Sequence, residues 1–125
     1  GQVIELKLKE SEWDKWPSII NYQSLNFIPN GSRHILIGAT IEPGTKPNPT
    51  TITRMLDMNS SAPQWIQKGK IIRHWSGLRA KPANEPAPLL KELNHGLFIN
   101  TGHYRNGILL APACAEWIGK KIDCY

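Results

Sequence analysis

A turn constrains this chain more than any other feature. Asn30-Gly31-Ser32 separates two short runs of strand-forming residues: Leu25-Asn26-Phe27-Ile28-Pro29, and Arg33 to Ile41 with Ile35, Leu36, Ile37, Thr40 and Ile41. Asn-Gly supplies the positive φ angles that tight hairpins need. The second run is therefore expected to pair back antiparallel on the first. Gly38, in the middle of the second run, marks a bulge or a close approach by another group. A third run, Val3 to Leu8, alternates cleanly: Ile4, Leu6 and Leu8 share one face, and Glu5 and Lys7 share the other. That pattern is a half-buried strand.

The remaining segments fit around this start. Residues 10–24 are polar, contain Trp13, Trp16 and Pro17, and read as a loop. Glu42 to Pro49 is a Pro/Gly loop, after which Thr50 or Thr51 is placed to cap a helix through Ile52, Met55 and Leu56. Pro63 interrupts that stretch. Gly69 precedes a β-rich run from Lys70 to Arg79, and Ala80 to Pro88, with three prolines, reads as an extended loop. Gly96 leads into a strand over Leu97 to Asn100. The polar segment Thr101 to Gly107 follows, then a helix reaching about Ile122, with Pro112 either near its first turn or kinking it. The order β, β, β, α, β, β, α with hairpin signals predicts an α+β fold with a mostly antiparallel sheet. There is no internal repeat.

Composition narrows the class. A length of 125 residues suits one domain with one core. The longest apolar run is four residues, Ile108 to Ala111, so no membrane span is expected. No charged segment followed by an apolar one opens the chain, which argues against a secretory signal. The first residue is Gly1 rather than Met, which fits a tag remnant or a cut inside a longer protein. Cys114 and Cys124 are too few for a disulfide framework and match no zinc spacing, so both are expected to be reduced thiols in a cytoplasmic protein. His34, His74, His95 and His103 are scattered, with no pair at i, i+4, so no metal site is expected. The net charge of +5 is dispersed over Lys7 and Lys9, over Lys68, Lys70 and Arg73, and over Lys120-Lys121. No nucleic-acid partner is expected from such a surface.

Two segments carry more than packing requires. In Trp75-Ser76-Gly77-Leu78-Arg79, an arginine ends a strand and precedes a rigid Pro-rich loop. Such an arginine can grip a carboxylate with two parallel hydrogen bonds; equally, it can be a surface residue paired with a structural acid. From Asn100 to Ala113 a strand passes through a Gly-bounded polar loop straight into a helix. A helix N-terminus presents free N–H groups and a partial positive charge. Gly102 and Gly107 lack Cβ atoms, so a flat ring or an anion could approach the backbone there; equally, the glycines can serve the turn alone. No Ser-His-Asp arrangement is present, and no catalytic residue is assigned.

These residues carry a resemblance. The twelve-residue block Gly102-His103-Tyr104-Arg105-Asn106-Gly107-Ile108-Leu109-Leu110-Ala111-Pro112-Ala113 resembles the C-terminal flavin-contacting motif of the FAD-dependent glycine oxidase and D-amino-acid oxidase family. Within the family it is most similar to the glycine oxidase branch of thiamine biosynthesis. Trp75-Ser76-Gly77-Leu78-Arg79 is similar to the family's substrate-arginine motif, at a matching distance upstream. Gly1-Gln2-Val3-Ile4-Glu5-Leu6 resembles the strand that opens the second half of such enzymes. Phe27-Ile28-Pro29 and Ile37-Gly38-Ala39-Thr40 resemble its tyrosine-containing hairpin. The segments occur in the family's order and span nearly the whole chain.

The resemblance implies roles. Arg79 matches the arginine that grips the substrate carboxylate, and Arg105 a second arginine near the reacting atoms. Gly102, His103, Arg105, Asn106, Gly107 and Ile108 match the loop along the pyrimidine edge of FAD. Hydride transfer to the flavin leaves negative charge near that edge, which a helix N-terminus at Gly107 would stabilise. Phe27 stands where the family usually has an active-site tyrosine, so that hydroxyl is lost from the substrate contacts. The segment after Arg79, Ala80-Lys81-Pro82-Ala83-Asn84-Glu85-Pro86, departs from the family's Pro-Gly-Thr, and the resemblance does not reach substrate identity there. The ten glycines include no pair two apart, so the Gly-x-Gly-x-x-Gly loop that holds the FAD pyrophosphate is missing.

The resulting expectation is a C-terminal part of an FAD-dependent amino-acid oxidase acting on CH–NH2. Residues 1–95 would form the substrate sheet, and 96–125 the closing strand and helix of the FAD domain. A separate Rossmann half would complete it, FAD binding by this chain alone would be weak or absent, and its exposed face would favour a homodimer. The rival readings are a stand-alone module that binds small carboxylates, or a subunit completed by a partner chain.

Overall fold

The structure, a computed structural model, describes residues 1–9, 17–44, 46–58 and 61–124. The loop expected around Trp13 and Trp16 lies outside the described residues up to residue 16. The chain forms two compact units, Gly1–Leu78 and Arg79–Tyr125.

The first unit is built on β1 (Gln2–Lys7), which pairs antiparallel on both edges. On one edge it meets β4 (His34–Gly38), with Ile4 opposite Ile37 and Leu6 opposite Ile35. On the other it meets β5 (Lys70–Ser76), with a bulge between Glu5 and Leu6. β3 (Leu25–Pro29) pairs with β4 as expected, and β2 (Ile20–Tyr22) adds an edge strand within the segment read as loop. The sheet order is β2-β3-β4-β1-β5. The β3–β4 turn is longer than a two-residue hairpin: Gly31 and Arg33 both take positive φ, at 74° and 62°, and the Asn30 N–H donates to the His34 carbonyl at 2.9 Å.

Alternation decides what the sheet buries. Ile4, Leu6, Leu8, Phe27, Ile35 and Ile37 form a core with Met55, Met58, Ala62 and Ile66. The last four come from the segment containing α1 (Thr50–Asp57) and α2 (Gln64–Gln67), which covers one side of the sheet. Burying each large aliphatic side chain contributes about 1.5–3 kcal/mol. The opposite side differs from the solvated face expected for Glu5. The Glu5 carboxylate is buried, with Oε2 accepting from Arg73 Nε at 2.6 Å and Oε1 from Asn30 Nδ2 at 3.1 Å, while His34 Nδ1 lies 3.0 Å from Oε1. The Arg73 bond first of all, and the His34 and Asn30 bonds after it, hold this carboxyl below its ordinary range against the opposing effect of burial. A charge can be buried here only because it is paired.

Gln2 organises the loop after β4. It is fully buried, and all its polar atoms are engaged. Its N–H donates to Thr40 Oγ1 at 2.7 Å, and its Nε2 donates to both Glu42 oxygens (3.0 and 2.9 Å) and to the Asn48 carbonyl at 2.8 Å. Its Oε1 accepts from His74 Nε2 at 2.8 Å. The helix cap differs from expectation: neither Thr50 nor Thr51 caps α1. Asn48 does so, its Oδ1 accepting from the Thr50 N–H at 3.0 Å and the Thr50 hydroxyl at 2.8 Å. Pro49 separates them without a donor of its own.

The second unit holds a hairpin, β6 (Leu89–Asn94) with β7 (Leu97–Thr101), and helix α3 (Gly107–Ile122). β6 was not read from the sequence. α3 spans the expected range and continues through Pro112. Phe98 of β7 meets Trp117 of α3 edge to face at 6.2 Å, and Cys114 is buried. The observed fold is thus α+β with antiparallel pairing in both sheets.

Two outcomes follow for stability. Replacing the fully buried Ile4 by alanine is expected to cost about 2–5 kcal/mol, read as a lower urea midpoint. Burial pushes the Glu42 carboxyl up, but hydrogen bonds from Thr40, the Asn48 N–H and Gln2 outweigh it and lower it from 4.5 to about 2. A depressed folded-state value stabilises the fold above pH 4.5, and this contribution is lost as pH falls toward 2. Glu42→Gln should flatten the pH dependence of unfolding in that window; an unchanged profile would refute the assignment.

Candidate functional site

The site is built in the second unit, where two loops lie side by side. β7 ends at Thr101, and Gly102 follows at φ +68°. A Cβ there would stand 2.7 and 2.8 Å from Pro82 Cγ and Cδ. Gly102 is therefore glycine for its left-handed backbone and for the proline ring beside it. Two residues on, the Tyr104 N–H donates to the Ala80 carbonyl at 3.1 Å, and Lys81 Nζ lies 5.6 Å from the centre of the Tyr104 ring. The segments 80–82 and 102–104 are thus clamped together by a hydrogen bond, a cation–π contact and a proline packed on a glycine. Tyr104 itself has φ 54°, a left-handed conformation that costs a side-chain-bearing residue about 1–2 kcal/mol. The clamp holds it there.

The clamp brings together residues far apart in sequence. Arg79 precedes Ala80, and Arg105 follows Tyr104, so both arginines flank the same hydrogen bond. Both are exposed, and Arg105 has no hydrogen bond or ion pair among the described residues. The Asn106 N–H then donates to the His103 carbonyl at 3.1 Å, closing a turn, and the Leu110 N–H donates to the Asn106 carbonyl at 2.8 Å, opening α3. The N–H groups of Gly107, Ile108 and Leu109 precede the first intrahelical donor, Leu110, and have no acceptor within the helix. No acid lies in this first turn, and Lys120 and Lys121 sit in the last, as the helix dipole favours. A Cβ on Gly107 would meet only His103 Cβ, at 3.6 Å, and Ile108 is 96% exposed. The head of α3 is therefore open, positively polarised and ready to meet an anionic or flat group.

Of the residues singled out from sequence, the second unit contains Arg79, Gly102, His103, Arg105, Asn106, Gly107 and Ile108 around this clamp and helix head. Phe27 belongs to the first unit, where it is 3% exposed in the core. It also lines a pocket of about 220 Å³ with Ile20, Tyr22, Met58 and Trp65. Sequence reasoning quoted Ala80, Lys81, Pro82 and Tyr104 but gave none of them a role; they are the residues that join the two loops. Among the described residues, no group of three or more His, Cys, Asp or Glu side chains could hold a metal, and no helix is long and apolar enough to cross a membrane.

Residues 1–121 match the family described as FAD dependent oxidoreductase. Glycine oxidase of Pseudomonas putida is 32% identical over 121 residues, covering 93% of this chain and 32% of that protein. The bifunctional protein ThiO/ThiG of a Nostoc species is 32% identical over 126 residues, covering 98% of this chain and 19% of that protein. The crystal structure of glycine oxidase from Bacillus cereus superimposes with a TM-score of 0.77 at 28% identity, covering 98% of this chain and 35% of that one. The chain thus spans about a third or less of the length of these relatives.

The clamp makes a direct prediction. Gly102→Ala combines a strained φ with a collision against Pro82, and should loosen the loop pair. Amide exchange at Tyr104, whose N–H bonds to Ala80, should quicken by roughly tenfold or more, in line with about 1–2 kcal/mol of local strain. Unchanged exchange would show that the clamp does not depend on Gly102.

Proposed function

The chain belongs to the FAD dependent oxidoreductase family, and from that premise we propose that it is the C-terminal, substrate-binding part of an oxidase. The reaction converts the amine of glycine or another small amino acid to the imine, which water turns into the 2-oxo acid and ammonia. The observation that carries this reading is the Ala80–Tyr104 hydrogen bond, which sets Arg79 and Arg105 on either side of one clamp beside the head of α3. The glycine oxidase and ThiO/ThiG relatives support the glycine branch of the family and, with it, a role in thiamine biosynthesis.

Each residue has a role in this reading. Arg79 holds the substrate carboxylate with two parallel hydrogen bonds, its backbone fixed by the clamp that begins at Ala80. Arg105 adds a second positive charge near the reacting carbon. Gly102, His103, Arg105, Asn106, Gly107 and Ile108 line the pyrimidine edge of the flavin, where the open N–H groups of α3 favour negative charge. When bound, FAD supplies the acceptor for the two electrons leaving the amine carbon. The residues present fit that edge of the cofactor. They do not fit its pyrophosphate, because no two of the ten glycines stand two apart.

The pyrophosphate site is therefore assigned to a Rossmann half supplied by the rest of the parent protein. By role, residues 1–95 supply the substrate sheet, and 96–125 the strand and helix that close the FAD domain; the compact units divide earlier, after Leu78, because β6 pairs with β7. Ile108 and Leu109, 96% and 79% exposed, form part of an apolar face suited to that missing half. Without it, the same face favours self-association of this chain.

Titration of the chain with FAD, followed by flavin fluorescence, should show weak or no binding, and tight stoichiometric binding would overturn the division of the cofactor site. Calorimetry with glycine should show binding that Arg79→Gln weakens at least about tenfold, since charged hydrogen bonds contribute about 1.5–3 kcal/mol. Light scattering at rising concentration should show dimers, and a clean monomer would count against the apolar face as an interface.

A further inference from the structure

The turn between β3 and β4 carries a reactive pair. Asn-Gly occurs twice in the chain, at Asn30-Gly31 and at Asn106-Gly107. In such a pair the side-chain amide carbon can close a five-membered ring with the next backbone nitrogen, and glycine has no Cβ to screen that nitrogen. The first pair is open to this reaction. Asn30 and Gly31 are both exposed, Gly31 stands at φ 74°, and a Cβ there would meet nothing within 4 Å. Among the described residues the Gly31 N–H has no acceptor. The second pair is constrained. Asn106 has ψ 18°, far from the eclipsed geometry of the ring, and its carbonyl accepts from the Leu110 N–H at 2.8 Å, which holds Gly107 in the first turn of α3.

Asn30 is also tied to a buried charge. Its Nδ2 donates to Glu5 Oε1 at 3.1 Å, the same oxygen that lies 3.0 Å from His34 Nδ1, while Arg73 Nε donates to Oε2 at 2.6 Å. The Glu5 side chain is only 4% exposed. We propose that Asn30 is a site of spontaneous deamidation and that its product breaks the Glu5 cluster. The Gly31 nitrogen attacks Asn30 Cγ, the N–Cγ bond forms, the Cγ–Nδ2 bond breaks, and ammonia leaves with the proton given up by the Gly31 nitrogen. Water then opens the cyclic imide at either carbonyl, giving aspartate or isoaspartate. An ionised aspartate has no proton to donate. The donor facing Glu5 Oε1 becomes an oxygen of like charge, beside a carboxylate that tolerates burial only because it is paired. An isoaspartate adds a backbone carbon to the turn that joins β3 to β4. Glu5 of β1 contacts β4 through His34 and β5 through Arg73, so the damage reaches three strands of one sheet.

Incubation of the chain at mildly alkaline pH, followed by tryptic peptide mapping with isoaspartate labelling, tests the site. Asn30 should convert at least about tenfold faster than Asn106, where local opening of α3 must come first. Asn30→Gln should abolish conversion at this position, because the longer side chain closes a larger ring far more slowly. No conversion at Asn30, or conversion at Asn106 just as fast, would overturn the assignment. The urea midpoint should fall in step with conversion, and Asn30→Asp should lower it without incubation. In a Glu5→Gln background the shift caused by Asn30→Asp should shrink at least about twofold, because the facing carboxylate is gone. A midpoint indifferent to conversion, or an Asn30→Asp shift undiminished by Glu5→Gln, would overturn the coupling to Glu5. Should Glu5→Gln fail to fold, the parallel between conversion and midpoint decides that coupling.

Discussion

The pairing of β1 along both its edges organises the first unit. β1 is an interior strand beside β4, and its even-numbered side chains Ile4 and Leu6 are fully buried in the core, opposite Ile37 and Ile35. Because it is paired on both sides, its backbone groups are satisfied without water, as a buried strand requires. The two ends of β1 then do different work. At one end Gln2 ties down Thr40, Glu42, Asn48 and His74, and through Asn48 it reaches the cap of α1. At the other, Leu8 closes on the β3–β4 turn through its N–H bond to the Arg33 carbonyl.

The second unit works by a smaller device. It sets two irregular loops, 80–82 and 102–104, side by side. A backbone hydrogen bond, a lysine on an aromatic ring and a proline against a glycine lock them together. Irregular segments fixed by a rigid frame are where binding residues usually lie. Here the frame is the β6–β7 hairpin and α3, joined by Phe98 on Trp117. The proposed carboxylate and flavin contacts rest on the positive end of α3 and on the arginines beside the clamp.

Much of this was legible in the residues. The alternation of Val3 to Leu8, the Asn30-Gly31 turn and the unbroken helical run after Gly107 each mark a local periodicity or a backbone demand, and each appears where expected. What escaped has a common physical cause. β2 is only three residues long, and β6 (Leu89–Asn94) lacks a clean alternation; both take their pairing from the next strand across a tight turn. Glu5 looked like a solvent-facing residue because its partners Arg73, Asn30 and His34 are brought to it only by the register of three strands. The cap of α1 fell to Asn48, one residue beyond an intervening proline, where local rules favoured the threonines.

The sequence by itself determined the strands and helices with strong periodicity, the antiparallel class, the absence of a phosphate-binding glycine loop, and the family through its Gly102–Ala113 block. These are properties of adjacent residues, set by side-chain spacing and backbone freedom. Tertiary structure alone decided which side chains meet: Gln2 with Glu42, Glu5 with Arg73, Ala80 with Tyr104, Lys81 with the ring before Arg105. Those contacts join residues that no local pattern links. The reason is that a loop's position is set by the loops it is bonded to, and not by its own sequence.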